Sequence, residues 1–279
     1  MIREIKTEDI TKAVTDLCIK AGRELPEDVY EALKKGQAAE TSELAADILG
    51  QLIENAELAK SEGLPICQDT GLLVVFAEMG RDVHLDGDIY EAINEGVRQG
   101  YEQAYLRKSV CDPFTRANTG DNTPAVVHLK MVEGDRLKLT VVPKGGGSEN
   151  MSRVFMLRPA DGWPGIREKI IETAVSAGPN PCPPTIIGVG IGGTFERAAI
   201  LAKESLLRPV GQPNPDPDLA AKEKEVLDAL VASGLGPQAL GGRTFTLAVH
   251  IYKLPCHIAS LPVAVNVQCH AARHKEIVL

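Results

Sequence analysis

The chain has 279 residues, 44% of them apolar and 24% charged, with a formal net charge of -8. That length suits one large domain or two modest ones around an ample core. The negative balance argues against a nucleic-acid or anionic-membrane surface, while a local anion site needs only a few placed cations and amides. No apolar run reaches the roughly 18–20 residues that span a bilayer. The opening MIREIKTEDI carries acidic residues and no apolar h-region, so it does not read as a signal peptide and a cytoplasmic location is expected. The six cysteines are therefore not expected to form a disulfide framework. Each reads as a buried hydrophobe, a metal or cluster ligand, or a nucleophile.

In chain order, apolar residues at helical spacing predict helices over Thr7–Ala21, Pro26–Lys35 and Ser42–Ser61. Pro26 suits the first turn of its helix. After a break at Gly63-Leu64-Pro65, Gly71–Phe76 reads as a buried strand and Asp86–Tyr105 as a helix. Val126–Met131 and Leu137–Val142 read as a strand pair around the turn Glu133-Gly134-Asp135. Gly165–Ala177 reads as a helix, Thr185–Val189 as a β-branched strand and Thr194–Leu206 as a helix. The proline-rich stretch Arg208–Asp218 marks an exposed loop or a subdomain boundary. A helix over Leu219–Ser233 and strands over Thr244–Ile251 and Val263–Val267 complete the chain. The expected fold class is α+β, or mixed α/β: a helical N-terminal segment followed by a mixed-sheet region with flanking helices.

Three cysteines sit in loops rather than in apolar runs. Cys67 lies in Leu64-Pro65-Ile66-Cys67-Gln68-Asp69-Thr70-Gly71, beside an amide and a carboxylate just before a strand. Cys182 lies in Asn180-Pro181-Cys182-Pro183-Pro184, and proline after a ligand cysteine is common in iron–sulfur loops. Cys269 ends an alternating strand and leads into His270-Ala271-Ala272-Arg273-His274, whose cations favour a thiolate. A packed cysteine, an inert proline turn and a solvated basic tail are the plain alternatives. The spacings exclude a local zinc-knuckle or ferredoxin pattern and prove no cluster. Three thiolates would leave one iron of a cubane without a protein ligand, and an open metal position polarises a substrate oxygen, as a dehydratase needs.

Lys144-Gly145-Gly146-Gly147-Ser148-Glu149-Asn150 follows a strand, and its glycines suit either an anion nest or a flexible connection. Gly188-Val189-Gly190-Ile191-Gly192-Gly193 matches G-x-G-x-x-G, yet the acidic residue of a dinucleotide site is missing downstream, where RPVGQPNPDPD stands. It reads better as a tight turn and helix N-terminus that brings amides near the Cys182 loop. Arg107-Lys108-Ser109-Val110 and Arg116–Thr123 supply cations and polar groups, or a solvated face. Cys256-His257 with Cys269-His270 and His274 offer the ligand types of a tetrahedral zinc site.

Together, ICQDTG, KGGGSEN, NPCPPTIIGVGIGGT and LPVAVNVQCHAARH resemble the class I, iron–sulfur-dependent fumarate hydratases and the related L-tartrate dehydratases. The resemblance runs from about Thr41 to His274. It implies that residues 1–279 are the N-terminal, α-type catalytic domain, with any subdomain boundary near 208–218. It implies a [4Fe–4S] cluster on Cys67, Cys182 and Cys269, whose fourth iron binds the substrate hydroxyl and a carboxylate. Gln68, Asp69, Arg107, Gly146 and His257 would surround the substrate, a small dicarboxylate, with Asp69 assisting the catalytic base and His257 binding a carboxylate or serving acid–base chemistry. The base, a threonine, belongs to a β-type domain that this chain does not include. The chain is thus expected to be the α subunit of a two-chain enzyme, an α dimer within an α2β2 assembly, inactive without its fumarase β subunit. Ser148-Glu149-Asn150 and LRKSV before CDPF resemble the fumarase branch more than the tartrate branch. The expected reaction is the interconversion of fumarate and L-malate, with L-tartrate dehydration as the alternative.

Overall fold

The computed structural model describes residues 2–279. The elements in chain order are β1 (Arg3–Ile5), α1 (Thr7–Arg23), α2 (Glu27–Ala39), α3 (Glu43–Glu62), β2 (Leu72–Gly80), β3 (Val83–Leu85), α4 (Ile89–Gln103), β4 (Val126–Val132), β5 (Leu137–Lys144) and the single turn α5 (Gly146–Glu149). They continue with β6 (Arg153–Leu157), α6 (Gly162–Ala177), β7 (Thr185–Gly193), α7 (Phe195–Ser205), α8 (Pro217–Ala232), β8 (Thr246–Cys256), β9 (Leu261–Gln268) and β10 (Lys275–Val278). This is the expected α+β fold. Among the described residues, no helix is long and apolar enough to cross a membrane.

The chain forms two compact units. The first comprises residues up to Pro26, Asn55–Gly145 and Arg273–Leu279; the second comprises Glu27–Glu54 and Gly146–Ala272. The proline-rich stretch 208–218 lies inside the second unit, and the chain passes between units near residues 26, 54, 145 and 272.

The first unit holds a four-stranded sheet in the order β10-β5-β2-β4. The expected pairing of 126–131 with 137–142 is corrected here. β2 lies between β4 and β5, parallel to β4 and antiparallel to β5. The cause is burial: Leu73, Val74, Val75, Phe76 and Ala77 are all buried, so this strand with its apolar run takes the centre of the sheet. The turn at 133–135 arches over the end of β2, where Gly80 N donates to Arg136 O and Asp82 N to Gly134 O. One core joins Leu73, Val75, Leu139 and Val141 of this sheet to Ile10, Val14 and Leu17 of α1 and Ile93, Val97 and Tyr101 of α4.

The second unit holds the sheet β6-β9-β7-β8, with β7 parallel to β8 and antiparallel to β9. Side chains alternate along β7. Ile187 and Val189 join the core formed with Ile166 and Ile170 of α6 and Leu219, Val226 and Leu230 of α8. Gly188 and Gly190 face α7 instead. A Cβ on Gly188 would lie 2.2 Å from Ala202 O, and one on Gly190 2.2 Å from Ala198 O. These glycines let the helix backbone lie directly on the strand. They are not a tight turn, because all of Thr185–Gly193 is strand. Nor does α7 begin near the Cys182 loop: the nine-residue β7 separates them, roughly 30 Å at ~3.3 Å per residue.

The proline-rich loop is pinned by a buried carboxylate. Glu223 accepts from Arg208 Nη2, Asn214 Nδ2 and Ile251 N, each at 2.7 Å. His250, 2% exposed, contacts Ser205 O through Nδ1 at 3.1 Å, and burial pushes its pKa down to about 4, with Arg208 adding to the effect.

Candidate functional site

In the first unit the segment Cys67–Gly71 is held by its backbone. Asp69 N–H donates to Cys67 Sγ at 3.4 Å, and Asp69 Oδ1 accepts from Gly71 N at 3.0 Å. Thr70, itself buried, donates its hydroxyl to Arg107 O at 2.9 Å, which ties the Arg107 segment to the cysteine loop. Tyr101 Oη reaches Thr70 O and Gly71 O at 2.9 and 3.0 Å, and Asn122 Nδ2 donates to Gly71 O at 3.2 Å. Burial raises the Tyr101 pKa, so its phenol stays a donor. Arg273 Nη2 donates to Asp69 O at 2.9 Å. A Cβ on Gly145 would lie 3.1 Å from Asp69 Oδ2, so the glycine lets the carboxylate lie close to the backbone at the end of β5. This unit therefore gathers Cys67, Gln68, Asp69 and the Arg107 segment. Cys67, Gln68 and the Arg107 side chain are exposed, and Asp69 is half-buried.

In the second unit Cys182 and Cys269 stand at the same end of the sheet, because Ile186 pairs with Gln268. Cys182 is exposed, with φ 51°, and its N–H donates to Pro179 O at 2.9 Å. His270 links the two loops: its Nδ1 lies 2.9 Å from Cys182 O, and since a carbonyl only accepts, Nδ1 carries the proton. Gln268 Nε2 donates to Cys269 Sγ at 3.9 Å, and Gln238 holds Pro183 O through both N and Nε2. The glycine loop belongs to this end as well, for a Cβ on Gly147 would lie 3.0 Å from Asn180 O. Gly146 opens α5, so the segment is a helical turn. Ser148 is buried there, and Glu149 pairs with Lys203 and accepts from Asn266 Nδ2 at 3.2 Å.

His257 is elsewhere. It sits exposed in the β8–β9 turn, where its Nδ1 accepts from Ala259 N at 3.1 Å, so the neutral ring carries its proton on Nε2. The register pairs Gly193 with Cys256, at the far end of β7 from Thr185. Eight steps along β7 place His257 roughly 25 Å from the Cys182 and Cys269 loops of its own unit. The zinc grouping of Cys256-His257 with Cys269-His270 is overturned by the same register. Among the described residues, no three His, Cys, Asp or Glu side chains gather around one point that would hold a metal ion.

The donors still suit a thiolate-held cluster. The three loop cysteines are soft ligands, and the sulfurs of Cys67 and Cys269 each receive an N–H. Tyr101 and Gln238 are supports that the sequence pattern leaves unmarked, while Asn122 and Arg273 fall in stretches it singled out only as a polar or cationic group. Arg273 carries the nearer signal, a cation four residues after Cys269.

Residues 11–278 match the family model described as Fumarate hydratase (Fumerase). The chain belongs to the fumarate hydratase family. This is a hydro-lyase family, and the named relatives agree with it. The chain is 41% identical over 272 residues, 95% of each chain, to a Methanocaldococcus jannaschii protein provisionally named L(+)-tartrate dehydratase subunit alpha. It is 32% identical to the L(+)-tartrate dehydratase subunit alpha of Escherichia coli UTI89 and 31% identical to that of Shigella sonnei, each over 268 residues covering 95% of this chain and 88% of the relative.

Proposed function

We propose that this fumarate hydratase family member is the α subunit of a hydro-lyase that interconverts fumarate and L-malate, with a [4Fe–4S] cluster held by Cys67, Cys182 and Cys269. The observation that carries this reading is the hydrogen-bonded segment that presents Cys67, Gln68 and Asp69 together and ties the Arg107 segment to them. When bound, the cluster supplies a Lewis-acidic iron with a coordination position free of protein ligands. The remaining chemistry belongs to side chains. Arg107 offers a guanidinium to one substrate carboxylate, and Gln68 an amide beside it. Gly146 admits the substrate close to the backbone. Asp69, its Oδ1 fixed by Gly71 N, offers a held carboxylate that assists the proton leaving carbon as hydroxide leaves the neighbouring carbon. The base that first takes that proton comes from a β chain. Two α chains and two β chains make the assembly, and residues 1–279 form its α-type catalytic domain.

His257 enters this scheme through its Nε2–H, which suits a carboxylate. Its distance from the Cys182 and Cys269 loops along its own sheet is too long for one dicarboxylate to bridge. On this reading His257 of one α chain serves the site of a second copy.

L-tartrate dehydration is the second reading, favoured by the names of the relatives. The Ser148–Asn150 segment, which pointed to fumarate, is taken up largely by packing and by the Glu149 contacts, which weakens it as a discriminator. The test is anaerobic co-purification with the β chain, followed by iron, sulfide and dehydration assays. L-malate turnover far above L-tartrate turnover is expected. The reverse ranking replaces the first substrate with the second. Full activity from the α chain alone, or activity without bound iron, overturns the scheme.

A further inference from the structure

The buried arginine of the C-terminal segment has donors without hydrogen-bond partners. Arg273 is 3% exposed. Its Nη2 donates to Asp69 O, while Nε and Nη1 are buried without a hydrogen-bond partner. A guanidinium stays charged at any physiological pH and carries five N–H donors in a rigid fork. Burying such a charge against a single backbone carbonyl is strongly unfavourable unless an anion completes the arrangement. The neighbouring groups are themselves committed. Tyr101 and Asn122 spend their donors on Thr70 O and Gly71 O. Asp69 is the point where Arg273 gains leverage: its carbonyl accepts from Arg273, while its N–H donates to Cys67 Sγ. The carbonyl and the N–H belong to the two peptide planes that meet at the Asp69 Cα, so Arg273 anchors one side of the Cα from which the Asp69 side chain departs and Cys67 the other.

We propose that Arg273 is a positioning residue that anchors Asp69, whose N–H meets the Cys67 sulfur, and so sets how firmly a resident group ligated at Cys67 is held. This rests on the cluster reading above and deepens it. Iron–sulfur clusters held by thiolates accept N–H bonds at their sulfurs, and such bonds tune both retention and reduction potential. The exposed Arg107 is the better placed cation for a substrate.

The test compares wild type, Arg273→Lys and Arg273→Gln, each co-purified anaerobically with the β chain. Three quantities are measured: iron and sulfide retained under chelator challenge, the cluster reduction potential, and the melting temperature of the cluster-free chain. Arg273→Gln is expected to lose iron about ten- to a hundredfold faster. It is also expected to shift the potential downward, because a positive charge that favours the reduced cluster is gone. The cluster-free chain is expected to melt no lower than wild type, since an uncompensated buried charge has been removed. Arg273→Lys, with the charge but not the fork, is expected to fall between. Unchanged potential and retention in both variants overturn the proposal, as does a lower melting temperature with no cluster effect, which marks a merely structural role. Failure of wild type itself to load iron and sulfide overturns the cluster reading and this proposal with it.

Discussion

The close approach of α7 to β7 makes Gly190→Ala the sharpest perturbation of the fold. The added Cβ would lie 2.2 Å from Ala198 O and 2.6 Å from Ala202 N. Ordinary contact lies at about 3.5–4 Å, so the helix must retreat by roughly 1 Å. No side chain can rotate away, because both contacts are helix backbone. Ala198 and Ala202 are fully buried, so the retreat opens gaps around them. Overpacking of this kind costs about 1–3 kcal/mol, and two backbone clashes place it at about 3. At ~2–4 °C per kcal/mol, the melting temperature falls by about 6–12 °C. The disturbance also reaches the glycine loop, since Lys203 of α7 holds Glu149. Differential scanning calorimetry of wild type and variant measures the loss, and a titration with NAD separates the two meanings of the glycine pattern. A shift below about 2 °C sinks the packing argument. Tight NAD binding by wild type, abolished in a variant of normal stability, replaces it with a dinucleotide site.

Two further predictions concern histidines. His250 has a folded pKa near 4, depressed mainly by burial, against 6.5 when free. The folded state refuses a proton that the unfolded state accepts, so stability is lost as pH falls from about 6.5 to about 4, up to about 3 kcal/mol in all. Urea midpoints at several pH values should show a steeper acid loss in wild type than in His250→Gln, and parallel curves would refute the assignment. His257→Asn and Cys182→Ser, each inactive alone with the β chain, should complement on mixing if His257 acts in a second copy. Random exchange in a dimer rebuilds about a quarter of the sites. Activity no higher than that of either variant alone would return His257 to some other role.

The helices were legible because apolar periodicity and local breaks set them, and their observed limits differ from the pattern by a few residues. The short strands β1, β3, β6 and β10 were not, since three to five residues leave too little alternation to read. The false hairpin of β4 and β5 has a different origin. Sequence neighbours usually pair, but the apolar β2 outcompeted that local choice from outside the segment. Gly188 and Gly190 show a motif whose spacing is right and whose physics differs: the same small residues serve helix–strand contact instead of a phosphate turn. Cys67, Gln68 and Asp69 were legible as one loop. Tyr101 was not, and for Asn122 and Arg273 only the residue type was, because each acts on a backbone atom at least 30 residues distant, which no local pattern encodes. His257 was legible as a residue type and misleading as a position, because a strand of nine residues separates it from the cysteine end.

Departures from ordinary packing are unevenly distributed, and their distribution bears on where function lies. Natural folds break local rules chiefly where function requires it. In the second unit, Thr185, Thr246, Asn266 and Gln268 are buried polar residues on the strands leading to Cys182 and Cys269. Asn266 Oδ1 and Gln268 Oε1 are left without partners, and Cys182 holds a left-handed φ that β-carbon residues rarely adopt. In the first unit, Ser109 Oγ beside the Arg107 segment and two nitrogens of Arg273 are likewise buried and unpartnered. The same kind of fault at Arg208 lies in a guanidinium already neutralised by Glu223, so it costs less and signals less. Unsatisfied donors at Arg273 are costly unless a partner meets them, whereas the unsatisfied acceptors Asn266 Oδ1 and Gln268 Oε1 call for a donor such as water and not for an anion.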